Sequence, residues 1–284
     1  MFAIKLLKAK TDFLTVKLRL LFIKNKQLRN RYKKFNLYKI SKTLSSKLKW
    51  GISYSVFDGE ELLEKSLKSV RNSADYINVV YQTTSWYNES CSKDLIRVLK
   101  KCKEQNLIDE IIEYKPNYEK SAGKQELEKR NIGLKYSKKA GCDYFMPMDT
   151  DEFYLGNELE KLKRKISING ITNAYCMQKL YLTPTKRIQE LPRHAVTLFG
   201  KINVFSKMKA NKNNIILIDP TRQISRFFNK KPYVFLDIYM HHYSFFRKDI
   251  NKKIRNSSGK VMLPKTSETI KVHDYFKLGE IFEE

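Results

Sequence analysis

The sequence predicts an α/β fold with a mainly parallel sheet flanked by helices. Three observations predict it. Short apolar strands alternate with helical stretches between residues 51 and 148, which is typical of βαβ units. The 284 residues are enough to bury a sizeable core. The hydrophobic content of 42% and the aromatic content of 12% indicate a globular chain.

The elements of the first half follow each other closely. The first strand is interrupted by Asp58-Gly59, and the next helix places Leu62, Leu63, Leu67 and Val70 on one side. Right-handed crossovers would then give a doubly wound sheet, with ligands at the carboxyl ends of its strands. The expected strands are 51–57, 76–81, 108–114 and 143–148, and the expected helices are 60–72, 92–105 and 124–140.

The second half is less regular, and no internal repeat or low-complexity linker separates it from the first. We expect it to complete the same domain and to build the acceptor side of a cleft. The expected helices are 157–167 and 247–256, and the expected extended segments are 174–182, 201–206 and 233–246.

Residues 1–48 are predicted to be a basic helical extension that precedes one domain at 49–284. The first 50 residues hold 15 Lys or Arg and one acid, a formal charge of +14 out of the total of +26. This segment is interpreted either as a helix on an anionic membrane surface or as a solvated helix packed on the domain. Nucleic acid is not an expected partner, because no recognised nucleic-acid motif accompanies the charge.

The cysteines and the hydropathy pattern bear on localisation. None of the four cysteines forms a C-x-x-C pair, so a cysteine zinc site is not expected and reduced thiols are. No apolar run approaches the roughly 18 residues that span a bilayer, and no signal peptide is recognisable. We therefore expect a cytoplasmic protein, with peripheral attachment to the inner face of the membrane as an open alternative.

The strongest chemical signal is the segment Asp149-Thr150-Asp151-Glu152, which directly follows a predicted buried strand. Three carboxylates so close repel each other unless a positive charge lies between them. A hard divalent cation takes carboxylate oxygens and keeps sites for phosphate, so Asp149 and Asp151 are candidate metal ligands. The alternative is an acidic turn that caps the next helix. The position at a strand end favours the metal.

Two adjacent histidines, His241 and His242, provide a second signal, because neutral imidazole is a good metal ligand. On an extended strand they point to opposite faces, so we expect one of them to reach the acidic site. The alternative for either is a histidine bonded to a neighbour in the core or at the surface.

Weaker signals concern donor binding. Arg130 and Asn131 lie on the helix before the acidic strand, and Arg247 follows the histidines. Polar turns and solvated basic helices are the alternatives for all of these positions. The candidate contacts to a nucleotide are Val56, Phe57 and Glu60 near the end of the first strand and Gln82 at the end of the second.

Together and in this order, these residues resemble the GT-A glycosyltransferases, in particular the family 2 type and its bacterial relatives. The resemblance runs from about residue 49 to residue 256. Its landmarks are the first strand, Lys129-Arg130-Asn131, Gly141 to Phe145 leading into the acidic motif, and the histidine run followed by Arg247 and Lys253.

The resemblance implies a Rossmann-like GT-A sheet, with a nucleotide-sugar half at 49–155 and an acceptor half at 156–284. It implies donor contacts at Val56, Phe57, Glu60 and Gln82. It also implies Mn²⁺ or Mg²⁺ at Asp149 and Asp151, with His242 favoured over His241 as a further ligand. A UDP-sugar is the favoured donor.

The sequence departs from that family pattern in two places. Gln82 and its hydroxyl-bearing neighbours stand where an acidic pair usually follows the second strand, which leaves the nucleobase open. No Glu-Asp dipeptide on a later helix offers a catalytic base. The candidate catalytic carboxylates are therefore Asp151, Glu190 and Asp237, with Asp219 as a further candidate base.

The sequence thus predicts a metal-dependent glycosyltransferase that moves a sugar from a nucleotide-sugar to a glycan or a lipid-linked acceptor. Its expected setting is surface polysaccharide or lipopolysaccharide synthesis. One alternative is a metal-dependent nucleotidyl or phosphoryl transferase that uses the same acids. Another is a non-catalytic basic protein that binds nucleic acid or a membrane.

Overall fold

The structure is a computed structural model, and it describes residues 14–16, 20, 23, 26–45, 48–181, 195–210, 220–225 and 233–257. The helices in this part of the chain are α1 (Lys26–Ser45), α2 (Glu60–Arg71), α3 (Asp94–Glu104), α4 (Ala122–Lys139), α5 (Gly156–Asn169) and α6 (Ile250–Asn256). The strands are β1 (Trp50–Val56), β2 (Tyr76–Tyr81), β3 (Glu110–Glu113), β4 (Tyr144–Asp149), β5 (Glu152–Phe153), β6 (Asn173–Leu180), β7 (Ala195–Lys201), β8 (Lys207–Lys209), β9 (Gln223–Ser225) and β10 (Tyr233–His242). One turn of 3₁₀ helix, Pro220–Arg222, precedes β9.

The described strands form an eight-stranded sheet in the order β3-β2-β1-β4-β7-β6-β10-β5, with β8 and β9 paired separately. The pairs among β3, β2, β1 and β4 are parallel, as is the pair of β6 with β10, whereas β7 and β5 run antiparallel to their neighbours. The prediction of a mainly parallel α/β sheet with flanking helices is confirmed. The chain leaves β1 on one side for β2 and returns on the other for β4, so a crevice is expected at the carboxyl ends of β1 and β4.

The centre of the core is β1, whose apolar side chains are buried on both faces, as in parallel sheets covered by helices. The Trp50 ring stacks on Tyr144 of β4, with the ring centroids 4.5 Å apart. The apolar side of α2 is buried as its spacing predicted. This packing fixes the positions at which β1 and β4 end.

Two boundaries in the second half differ from the prediction. The expected extended segment 201–206 is wrong, because the strand is β7 and it ends at Lys201. Asn203 forms a side-chain turn instead, and its Oδ1 accepts hydrogen bonds from Phe205 N at 3.0 Å and from Ser206 Oγ at 3.2 Å. The segment 233–246 is a strand only to His242, after which Phe246 N donates to Tyr243 O in a turn.

The N-terminal helix α1 packs against α5. In the part of the chain that the structure describes, no helix combines the length and the apolar character that crossing a membrane requires. Whether the basic extension lies on a membrane stays a prediction, as does the domain boundary at residue 48. Glu190 and Asp219 lie outside the described residues.

Candidate functional site

The acidic motif lies at the carboxyl ends of β1 and β4, where strand order predicts a crevice. Ser55 of β1 is in register with Asp149, the last residue of β4. Thr150 follows, and its Oγ1 donates a hydrogen bond of 3.1 Å to the carbonyl of Asp58 in the loop after β1. The end of β4 is therefore tied to the loop that leads into α2.

Asp151 is a buried carboxylate, 2% exposed, that is surrounded by basic groups. Its Oδ2 accepts a 2.8 Å hydrogen bond from Arg247 Nη2, bonds Lys253 Nζ and lies 3.4 Å from His242 Nε2. Within the described residues, every partner reaches Oδ2 and none reaches Oδ1. Burial raises the pKa of this carboxyl, but the charges of Lys253, Arg247 and His242 together hold it well below its usual value.

Asp149 and Glu152 share a second basic group, Arg222. The Arg222 guanidinium bonds both oxygens of the buried Glu152 carboxylate, at 2.8 Å to Oε2, and it also bonds Asp149. The Asp149 side chain is 32% exposed and lies 3.3 Å from Arg130 Nη2. Burial raises the pKa of Glu152 even though Arg222 opposes that shift.

The two late histidines bond different partners. His242 accepts at Nδ1 from Gln178 Nε2 at 2.7 Å, which directs its Nε2 towards Asp151. His241 Nδ1 lies 2.8 Å from the Tyr181 hydroxyl, and the Tyr181 ring stacks on the imidazole. Of the two imidazoles, His242 is the one that the structure brings to the acidic motif.

A buried lysine joins the ends of β1 and β2. Lys129 Nζ donates to the carbonyl of Val56 at 2.7 Å and to Gln82 Oε1 at 3.1 Å, and it lies 5.5 Å from the centre of the Trp86 ring. Burial lowers the pKa of Lys129 to about 7. The Gln82 amide is buried too, and its Nε2 has no hydrogen-bond partner among the described residues.

Helix α6 lies against the loop that follows β2. Arg255 and Asn256 both bond Glu89, and Lys252 Nζ donates to the carbonyl of Ser90 at 2.7 Å, so α6 is tied to the loop after β2. Lys252 Nζ also lies 5.5 Å from the centre of the Phe57 ring. These contacts place Phe57 beneath α6. Glu60 is buried at the start of α2.

Two candidate residues bond partners outside this cluster. Asn131 bonds the backbone of Met208 at both its oxygen and its nitrogen, which holds β8 against α4. The exposed Asp237 carboxylate pairs with Lys165 of α5 at 2.6 Å.

Sequence reasoning missed Arg222 and Gln178, and it gave Lys129 no role of its own. Arg222 lies in a short 3₁₀ turn without apolar periodicity, so no local pattern marks it. Lys129 could have been found from the sequence. It follows Gln125 by four residues, so both side chains lie on the same side of α4, and both are buried.

The donor set is partly suited to a divalent cation. Donor atoms bound to one ion at roughly 2.1 Å lie about 3.0–3.5 Å apart, and His242 Nε2 and Asp151 Oδ2 are 3.4 Å apart. Among the described residues, however, no group of three or more His, Cys, Asp or Glu side chains is placed to hold an ion alone. The protein thus offers an imidazole and a carboxylate that fit an ion whose other ligands would be phosphate oxygens and water.

Comparisons with known proteins give similarities to solved structures alone, since no protein-family model and no curated protein sequence matches the chain. The structure of S. aureus TarS 1-349 shares 16% sequence identity with this chain and has a TM-score of 0.41. The match covers 70% of this chain and 62% of the TarS 1-349 chain. The structure of TarS 1-349 in complex with UDP-GlcNAc shares 16% sequence identity and has a TM-score of 0.34, and the match covers 50% of this chain and 37% of the other. The structure of GalNAc-T7 with UDP, GalNAc and Mn²⁺ shares 15% sequence identity and has a TM-score of 0.36, and the match covers 47% of this chain and 23% of the other. The chain thus spans less than two thirds of each of these proteins, and the functional proposal rests on the site geometry instead.

Proposed function

We propose that this chain is a glycosyltransferase that transfers a sugar from a nucleotide-sugar donor. The observation that carries the proposal is the buried cluster in which Arg130, Arg222, Arg247 and Lys253 bond the acidic motif at the carboxyl end of β4. Guanidinium and ammonium groups bind phosphate as well as carboxylate. A donor diphosphate is the anion that these groups would take in a crevice at a switch point.

The proposed donor lies across the ends of β1 and β2. Its base or ribose would contact Val56, Phe57, Glu60 and the Gln82 amide. Basic side chains would bind the diphosphate. Among them are Arg130 and Arg247, which the sequence analysis names as candidates for donor binding. Support for this placement is the shared position of these residues at one edge of the sheet.

We also propose that Mn²⁺ or Mg²⁺ binds with the donor. Asp151 and His242 would be its protein ligands beside donor phosphate oxygens, and Asp149 would join them by leaving its contacts with Arg130 and Arg222. When bound, such an ion offsets the charge that develops on the departing diphosphate. Support comes from the His242–Asp151 separation and from the exposed fraction of Asp149. In this proposal Arg247 and Lys253 release Asp151 Oδ2 and bond phosphate oxygens.

The transfer step needs an acceptor hydroxyl that attacks the anomeric carbon and a group that takes its proton. For an inverting reaction that group is a carboxylate within hydrogen-bond reach. Asp151, Glu190 and Asp237 remain the proposed catalytic carboxylates. Asp151 acts in this proposal through the ion, because its side-chain contacts with the described residues are to two cations and an imidazole.

The proposed acceptor is a glycan or a lipid-linked glycan in surface polysaccharide or lipopolysaccharide synthesis. The support is the +14 charge of the first 50 residues, which suits attachment to an anionic membrane surface.

A thermal-shift screen of nucleotide-sugars, each with and without Mn²⁺, tests the donor proposal, since a ligand that binds only the native state raises its Tm. We expect one nucleotide-sugar to raise the Tm, and we expect Mn²⁺ to increase that shift. Arg247→Met should abolish the shift, whereas the matched control Lys248→Met, at an exposed neighbouring position, should retain it. No shift with any nucleotide-sugar would overturn the proposal.

Product analysis then separates sugar transfer from the rival reaction. Release of a nucleoside diphosphate in the presence of acceptor supports a sugar transferase. Release of pyrophosphate from a nucleoside triphosphate would instead assign the acidic motif to a nucleotidyl transferase.

A further inference from the structure

The turn between β7 and β8 presents two adjacent apolar side chains to water. Val204 is 80% exposed and Phe205 is 70% exposed, the two highest values among the large apolar residues that the structure describes. The turn is well defined, since Ser206 N donates to Asn203 O at 3.1 Å and the Asn203 side chain bonds Phe205 N and Ser206 Oγ. Hydrogen bonds of the turn itself therefore hold both side chains outward.

Lysines surround this apolar tip. Lys138 of α4 donates to the carbonyls of Val204 at 3.1 Å and Ser206 at 2.5 Å. Burial and the nearby charge of Lys207 both lower the pKa of Lys138. No acid occurs between residues 196 and 210. The exposed lysines on β7, on β8 and on the outer side of α4 are Lys135, Lys139, Lys201, Lys207 and Lys209.

The tip lies at the edge of the sheet where β1 and β4 begin. Lys201 pairs with Tyr144, the first residue of β4, and Ile202 N donates to Asp143 O. The carboxylate of Asp143 is itself engaged by the backbone N–H of Lys49 at 2.8 Å. Asp143, the acid beside the tip, is thus engaged by the backbone, and the exposed charged side chains of residues 196–210 are lysines.

The basic extension joins the domain at this same edge. Helix α1, which carries seven Lys or Arg and no acid, ends at Ser45. Lys49 then donates from Nζ to the carbonyl of Ala140 at 2.5 Å, beside the start of β4. The basic extension thus leads, through Lys49, to the edge of the sheet at which the apolar tip lies.

We propose that this edge is a docking surface for an anionic lipid bilayer, with Val204 and Phe205 inserted at the level of the head groups. An apolar tip within a basic surround is the arrangement that interfacial membrane anchors use. The lysines would lie against lipid phosphates, and attraction to anionic lipid adds with each of them. Polyanions such as nucleic acid would use the lysines but would leave the apolar tip in water.

Docking in this orientation leaves the acidic motif free. Asp149 lies at the carboxyl end of β4, and the tip lies beside the amino end of the same strand. A strand of six residues separates the two edges by about 20 Å. The surface is therefore distinct from the proposed donor site, and its test needs no sugar transfer.

The first test is co-sedimentation of the full chain with vesicles of phosphatidylcholine, with and without added phosphatidylserine. We expect binding only with phosphatidylserine, and we expect Val204→Ser with Phe205→Ser to weaken it by about tenfold or more. The matched control is Leu236→Ser, which replaces an apolar side chain that is 68% exposed beside Asp237 on β10. The control should bind as the wild type does.

The second test measures insertion of the tip directly. It therefore distinguishes insertion of Val204 and Phe205 from vesicle binding by the basic extension alone. Phe205→Trp should be quenched by brominated lipid in anionic vesicles beyond the quenching of Trp50 and Trp86 in the wild type. Unchanged affinity of the double serine variant together with absence of added quenching would overturn the proposal. Equal binding to soluble heparin and to vesicles, unaffected by the serine variant, would also overturn it and would indicate a polyanion partner.

Discussion

The imidazole Nε2 of His242 lies 3.4 Å from Asp151 Oδ2, and Gln178 Nε2 lies 2.7 Å from the other ring nitrogen. With the amide in this orientation, Gln178 donates to Nδ1, and a neutral His242 then carries its proton on Nε2. An imidazole that binds a metal through Nε2 needs the opposite tautomer. The orientation of one amide thus decides whether His242 can act as a ligand.

Gln178→Glu should strengthen the binding of Mn²⁺. A carboxylate accepts the Nδ1 proton of His242, which leaves the Nε2 lone pair directed towards Asp151, and such outer partners change metal affinity by about tenfold or more. Calorimetric titration with Mn²⁺, in the presence of the nucleoside diphosphate of the donor that the screen identifies, measures the effect. Gln178→Met, which offers neither donor nor acceptor of comparable strength, is the matched control. Equal affinity of the Glu and Met variants would remove His242 from the metal proposal.

Asp151→Asn should destabilise the fold more than Asp149→Asn. Removing the buried charge takes away the nearest counter-charge of Arg247 and Lys253, leaving Arg247 only the Asp58 carboxylate at 3.8 Å. Breaking a buried pair costs about 3–5 kcal/mol. Asp149 is 32% exposed, so water can replace its contacts and the loss should be smaller. Urea unfolding of both variants gives the comparison, and equal losses would contradict it.

The lowered pKa of Asp151 gives a pH test of its ion pairs with Arg247 and Lys253. Because its folded pKa is lowered, the ion pair contributes stability at every pH above the usual value of 3.8. That contribution is lost only as the pH falls below 3.8 towards the folded pKa. The stability difference between wild type and Asp151→Asn should therefore shrink as the pH falls below 3.8.

The sequence was sufficient for the parts of the fold that depend on local pattern. The apolar run of β1 and the spacing of Leu62 to Val70 in α2 are each readable within a few residues. The acidic motif could be found because its acids are contiguous at a strand end. The end of β7 could not be predicted. The segment after it is apolar and strand-like, but the Asn203 side chain bonds the backbone N–H of Phe205 and forms a turn there instead of a strand.

The cationic half of the site was harder to predict, because its pairs join distant parts of the chain. Arg222 is 70 residues from Glu152, and Arg247 is 96 residues from Asp151. Periodicity carries no information about such contacts. Arg247 was nevertheless singled out, since it follows the histidines, whereas Arg222 lies in a turn that no motif marks.

Gly59→Ala should disrupt the site. Gly59 has a φ of +74°, and a Cβ there would lie 1.2 Å from Arg247 Nη1 and 2.5 Å from Thr150 Oγ1. The matched control is Gly141→Ala, since Gly141 has a φ of +75° but a Cβ there would meet nothing within 4 Å. Both variants carry the same backbone strain, so the difference isolates the displacement of Arg247.

The readouts for these glycine variants are urea unfolding and the thermal shift given by the nucleotide-sugar that the screen identifies. We expect Gly141→Ala to lose some stability and to keep the ligand shift. We expect Gly59→Ala to lose more stability and most of the shift. Similar behaviour of the two would show that Arg247 can move aside without consequence.

Lys129 should make the stability of the protein depend on pH above neutrality. Burial lowers its pKa from the ordinary 10.5 to about 7, although the charges of Asp149, Glu126 and Asp58 raise it and that of Arg130 lowers it further. At any pH between these two values, the unfolded chain binds a proton at Lys129 that the folded chain has released. The free energy of unfolding therefore rises with pH in this window, by up to about 1.4 kcal/mol per pH unit.

Lys129→Met isolates this contribution, because every other titrating group is common to both proteins. Methionine has a similar length and no charge, so the variant should be more stable than the wild type near pH 7, where the folded protein still carries most of the cost of burying an ammonium group. That advantage should shrink as the pH rises, since the wild-type lysine is then buried in its neutral form. Urea unfolding of both proteins across the window measures the difference. A difference that stays constant with pH would mean that Lys129 keeps its proton, held by the Val56 carbonyl and the Gln82 amide oxygen.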